Sequence, residues 1–93
     1  MEPAGKSDET IENKRRRLIF RSDHRGTKEM DLILGSFARA NVPQMSEGEL
    51  QEYDEFLRNN DPDLYNWITG KEDAPRDVQE MQIFEKLMAH RFA

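Results

Sequence analysis

Met30, Ile33, Leu34, Phe37 and Ala38 fall at i, i+3, i+4, i+7 and i+8, the spacing that lines one face of a helix. The helix they predict begins near Thr27 and ends at Asn41-Val42-Pro43. A weaker stripe (Ile11, Leu18, Ile19) predicts a shorter helix over about 11–21, broken by the turn formers Ser22-Asp23-His24-Arg25-Gly26. Further on, Ser46 and Glu49 have the spacing of a capping box, each able to satisfy the other's free amide, and Leu50, Tyr53, Phe56 and Leu57 give the buried side of a third helix ending at Asn59-Asn60. Asp61-Pro62-Asp63 reads as a fourth helix start, with Asp61 as N-cap and Pro62 at the first position, where a missing amide costs nothing. Leu64, Trp67 and Ile68 form its apolar face, and Gly70 is its stop. A last helix is expected over about 76–91, with Val78, Met81, Phe84, Leu87 and Met88 on its stripe. Nothing alternates with period two, so no sheet is predicted. The expected fold is all-α, a compact antiparallel bundle of about five short helices over 11–93, behind a disordered polar tail at 1–10.

Composition narrows the function more than it changes the fold. At 93 residues the chain makes one domain with little room for an enclosed pocket. Having no cysteine, it has no disulfide and no thiolate chemistry. No apolar stretch nears the roughly 18 residues of a membrane helix, so no membrane insertion is expected. Glu2, Asp8 and Glu9 argue against a secretory signal or an uncleaved transit peptide, which favours a bacterial cytoplasm over a mitochondrial matrix. The net charge of −5 hides an asymmetry. Lys14, Arg15, Arg16, Arg17, Arg21, Arg25 and Lys28 stand against Asp23 alone, whereas acids dominate from Glu47 to Glu80. A chain so divided is suited to electrostatic steering toward a partner.

Candidate chemistry is sparse. The two histidines, His24 in the turn and His90 near the C-terminus, show no metal-ligand spacing, so no metal is expected. The glycines are scattered singly and form no phosphate-binding loop, and nothing points to catalysis by the chain itself. The basic run Lys14–Arg17 could meet phosphates, but it is one helix long with only Phe20 interleaved, and nucleic acid is not the favoured partner. The turn Arg25-Gly26-Thr27-Lys28-Glu29 is more informative. Arg25 closes the first helix and Glu29 stands in the first turn of the second, where the helix dipole favours an acid. Gly26 between them leaves backbone open to close approach. The expectation is a small exposed platform with a fork-shaped cation and an anion, suited to recognising a protein partner.

Arg25-Gly26-x-x-Glu29, followed by Met30-Asp31, resembles the R-G-x-x-E signature of the succinate dehydrogenase flavinylation factors. Asp61-Pro62-Asp63-Leu64-Tyr65-Asn66-Trp67 resembles that family's second recurrent block, and the similarity runs from about Lys14 to Arg91. The second block reads mainly as fold, with Tyr65 and Asn66 the members expected to face outward. The resemblance implies an assembly factor that promotes covalent attachment of FAD to a histidine of the succinate dehydrogenase flavoprotein subunit, and in some bacteria of fumarate reductase. By position it makes Arg25, Gly26 and Glu29 the partner-binding motif. His24, Thr27, Lys28, Asp31, Arg17 and Arg21 are further candidates for the interface. No tightly bound cofactor is expected, since FAD belongs to the partner. Two other readings stay open: a nucleic-acid-binding regulator acting through the basic helix, and a transfer protein that carries FAD itself.

Overall fold

The computed structural model describes residues 9–90. Residues 1–8 of the expected polar tail, and 91–93, lie outside them. Among the described residues there are six α-helices and no strand: α1 Ile11–Asp23, α2 Lys28–Asn41, α3 Glu47–Phe56, α4 Asp61–Thr69, α5 Arg76–Gln79 and α6 Gln82–Ala89, with a 3-10 turn at Val42–Gln44. α1 packs along α2, and α3 is held between α1 and α6. The fold is the small all-α bundle that the periodicity predicts.

Helix starts follow local chemistry. Thr10 Oγ1 accepts the Asn13 amide at 3.1 Å, so the ordered chain reaches back beyond Ile11. Thr27 Oγ1 accepts the Met30 amide at 3.2 Å. The capping box at Ser46 and Glu49 is complete in both directions. Gly70 closes α4 with φ +81°, a left-handed conformation that glycine adopts without a Cβ clash.

The core is one cluster built on Leu18, Leu34, Phe37, Leu50, Tyr53, Phe56, Leu64, Ile83 and Leu87, all fully buried. Each such side chain contributes roughly 1.5–3 kcal/mol on leaving water. Ser22 is buried among them. Its hydroxyl donates to the Leu18 carbonyl at 2.7 Å and accepts from the Tyr53 hydroxyl at 2.6 Å. With both polar groups satisfied, burial pushes the Tyr53 phenol well above its ordinary range.

Two expectations are corrected. The single last helix is two, because Met81 takes an extended conformation (φ −71°, ψ 132°) between α5 and α6. The break shifts the register: Val78, Ile83 and Leu87 are buried, Met81 and Phe84 only partly, and Met88 is 46% exposed. α6 has no side-chain cap of its own, and Glu52 of α3 accepts the Ile83 amide at 3.0 Å instead. In α4 the N-cap is Asn60, whose Oδ1 accepts the Asp63 amide at 2.9 Å. Asp61, expected to cap, is the first helical residue, and its carboxylate is engaged elsewhere.

Candidate functional site

The α1–α2 corner is built by long-range contacts. Arg25 lies in the connector and reaches across to the end of α3 and the start of α4. Its Nε donates to Asp61 Oδ1 at 2.7 Å, Nη1 to the Leu57 carbonyl at 3.0 Å and Nη2 to the Asn59 carbonyl at 2.9 Å. The guanidinium fork thus ties off helix-end carbonyls left over where α3 stops. The Arg25 side chain is only 11% exposed, so it is not the outward cation expected of a platform. The Arg25 amide donates to Asp31 Oδ1 at 2.5 Å, which pins the connector to the first turn of α2.

Gly26 completes this clamp. Its amide donates to Asp61 Oδ2 at 2.5 Å, so one carboxylate holds both Arg25 and Gly26. A Cβ at Gly26 would lie 2.8 Å from that oxygen, closer than real Cβ contacts run. The backbone has no positive φ there. The close approach inferred from the sequence is therefore made by Asp61 of the same chain, and that contact, rather than an unusual dihedral, explains the glycine.

What remains facing outward is selective. His24, Thr27, Lys28 and Glu29 are exposed, whereas Asp31 is half-buried and committed to the Arg25 amide. His24 stacks on the exposed Phe20 with ring centroids 3.9 Å apart, and its Nδ1 donates to the Phe20 carbonyl at 2.8 Å. Arg17 and Arg21 are turned to α3, where both pair with Asp54, at 3.2 and 2.8 Å; Arg17 also holds Glu9 at 2.9 Å. These partners raise the Arg17 guanidinium further above its ordinary range. Burial pushes the Asp54 carboxyl up, but the arginines outweigh it and hold the group below its ordinary value.

Among the described residues the Glu29 carboxylate has neither hydrogen bond nor ion pair. It stands where two concavities meet on the α2–α4 face. A cleft of about 250 Å³ includes Thr27, Met30, Pro62 and Tyr65, and one of about 540 Å³ includes Leu32, Ile33 and Tyr65. Leu32 is 64% exposed beside it. Tyr65, expected outward, forms a half-buried wall of both clefts. Asn66 is half-buried too, and its carbonyl accepts the Glu72 amide at 3.1 Å.

The motif residues therefore divide. Arg25, Gly26 and Asp31 build the corner, and Glu29 with Lys28 is displayed by it. Sequence reasoning missed the partners of the clamp, Asp61 with the Leu57 and Asn59 carbonyls. The available signal was Asp61 beside an Asn60 equally able to cap, which left a spare carboxylate. Among the described residues no group of three or more metal-ligating side chains comes together, and no helix is long and apolar enough to cross a membrane.

The fold and the site define a small helical protein that displays the Glu29 carboxylate on a braced, cleft-lined corner. The family model described as flavinator of succinate dehydrogenase matches residues 16–91, and the chain belongs to that family. It is 39% identical to the mitochondrial succinate dehydrogenase assembly factor 2 of Dictyostelium discoideum, over 86% of this chain and 55% of that protein. It is 38% identical to the protein of the same name from Caenorhabditis elegans, over 85% of this chain and 68% of that one. An FAD assembly factor of the bacterium Acetobacter pasteurianus is 36% identical, over 80% and 68%. The chain thus spans about half to two-thirds of the length of these relatives. Both mitochondrial and bacterial settings occur among them.

Proposed function

We propose that this protein is an assembly factor that docks on the flavoprotein subunit of succinate dehydrogenase and promotes covalent attachment of FAD there. The observation that carries the reading is the unpaired Glu29 carboxylate, set between clefts whose apolar walls (Met30, Pro62, Leu32, Ile33) alternate with Thr27, Ser36 and Arg39, beside a corner that Arg25, Gly26 and Asp61 hold together. Such a carboxylate is a ready acceptor for an arginine, lysine or amide of a partner, and the clefts give room for apolar side chains around it. Membership of the flavinator family and the names of the relatives supply the client.

The chain acts by positioning. FAD and the partner's histidine carry the reacting groups, and holding the partner in a reactive geometry can contribute several kcal/mol to the barrier. On this reading FAD stays with the partner, whose histidine it is joined to. Glu29 serves as a docking group rather than a base.

The test measures covalent flavin in the dehydrogenase subunit, as in-gel fluorescence after denaturation, in cells lacking this protein and complemented with variants. Wild type and Glu29→Gln, which keeps an acceptor, are expected to restore fluorescence, and Glu29→Lys to leave it absent with the melting temperature unchanged. Full restoration by Glu29→Lys would remove Glu29 from the interface. Loss with Glu29→Gln would favour proton abstraction over docking. Glu29→Lys tests docking more cleanly than Gly26→Arg, whose Cβ would also disturb the Asp61 clamp.

A further inference from the structure

A second groove, of about 440 Å³, lies on the other side of α4. Tyr65 and Trp67 are two positions apart, hence about 200° around the helix, and line different grooves. The floor is aromatic and apolar: Trp67, Phe84 and the exposed Met88. The rim is acidic, with Glu72, Asp73 and Glu85, and none of these carboxylates has a hydrogen bond or ion pair among the described residues. No lysine or arginine lines the groove among those residues, and the adjacent Lys71 is drawn away, its Nζ 5.3 Å from the Tyr65 ring centre. The wall is pinned in place. Gly70 turns the chain out of α4, Glu72 donates its amide to the Asn66 carbonyl at 3.1 Å, and Gln79 Nε2 donates to the Ala74 carbonyl at 2.6 Å.

We infer that this groove is a second docking site, and that its occupant is a basic protein segment with an apolar side chain flanked by lysine or arginine. The apolar residue would cover Trp67, Phe84 and Met88, and the cations would meet the three rim carboxylates. Charge complementarity selects that occupant, since an acidic or neutral segment would leave three like charges around the contact uncompensated. In a second copy of this chain Arg17, Arg21 and Arg25 would not supply those cations, being committed to Asp54 and Asp61. The site shares no lining residue with the Glu29 clefts and does not depend on their role.

Trp67, the one tryptophan of the chain, lies in the floor and reports occupancy directly. The test titrates the intact protein with a synthetic amphipathic leucine/lysine peptide, with a leucine/glutamate peptide as control, following Trp67 emission. The basic peptide is expected to saturate the signal and the acidic one to leave it unchanged. Glu72→Gln/Asp73→Asn/Glu85→Gln should weaken binding by about tenfold, from three partly exposed pairs. The variant Glu12→Gln/Glu47→Gln/Glu55→Gln, with equal net charge, should bind within about twofold of wild type, as should Glu29→Lys. No change in Trp67 emission, or equal weakening in both triple variants, would overturn the site. Loss with Glu29→Lys would assign the peptide to the other face and overturn it as well.

Discussion

At Gly26 the sign of a substitution depends on a residue 35 positions away. The Gly26 amide and the Arg25 guanidinium share the Asp61 carboxylate, and a methyl group at Gly26 would press on the same oxygen. Gly26→Ala should therefore destabilise by about 1 kcal/mol, the low end of overpacking. Asp61→Ala should destabilise by about 2–3 kcal/mol, because it leaves a mostly buried arginine short of its anion. In the Asp61→Ala background the clash is gone and the glycine has no positive φ to protect. Gly26→Ala should then be neutral or stabilising by up to about 0.5 kcal/mol, through the smaller entropy of the unfolded chain. Urea midpoints of the four proteins decide this, and additive effects would mean that Asp61 is not what excludes a side chain. The spacing Arg25-Gly26-x-x-Glu29 was legible in the sequence and so was the placement of Glu29 in a first helical turn. The division of labour between them was not, because it depends on Leu57, Asn59 and Asp61, which only the packing of α3 and α4 brings to the corner.

Between elements, polar side chains reach across helix boundaries that local patterns describe well. The capping box at Ser46 and the start of a helix near Thr27 are local chemistry and were readable. The break at Met81 was not, since Val78, Met81, Phe84 and Met88 continue a helical period, and the cap of α6 comes from Glu52, in another helix. Glu52→Ala should cost about 1 kcal/mol, the usual worth of an N-cap, and should speed amide exchange at Ile83 more than at Leu64. Uniform acceleration would instead indicate global destabilisation. The α1–α3 contact carries a pH dependence. Asp54, held below its ordinary value chiefly by Arg17 and Arg21, has a folded pKa lower than its unfolded one. Its contribution is then present above the unfolded value of about 3.9 and is lost as the pH falls through the folded value. Melting temperature should fall as the pH is lowered below about 4, and Asp54→Asn should make that fall shallower. Glu9 and Glu49, lowered by Arg17 and Lys86 respectively, account for a remaining slope. An unchanged slope in Asp54→Asn would deny the pair its role.

Taken as one charged body, the molecule is less polarised than its sequence. Arg17 and Arg21 are turned to Asp54, Arg25 to Asp61, and Arg15 donates to the Met45 carbonyl at 2.9 Å. Of the basic run, Lys14 and Arg16 keep their charge outward of the α1–α3 contact, with Arg16 bonded to the neutral Asn13, and Lys28 stands alone in the corner. Two or three dispersed cations neutralise few phosphates, and affinity for a polyanion falls with salt at about 0.9 log units per log unit for each phosphate contact. The protein should accordingly pass through immobilised heparin at physiological ionic strength. Asp54→Asn provides the informative contrast: it frees Arg17 and Arg21 from their shared anion, with a single unit change in net charge, and should increase retention. Glu55→Gln, which changes net charge equally on the same helix without freeing an arginine, should not. Strong retention of the wild type that disappears on neutralising Lys14 and Arg16 would mean that the basic helix is itself a binding surface, and would return nucleic acid to consideration as a partner. Weak retention, rising only with Asp54→Asn, would mean that the basic residues of α1 are spent on holding the bundle together, which leaves recognition to outward carboxylates, Glu29 first among them.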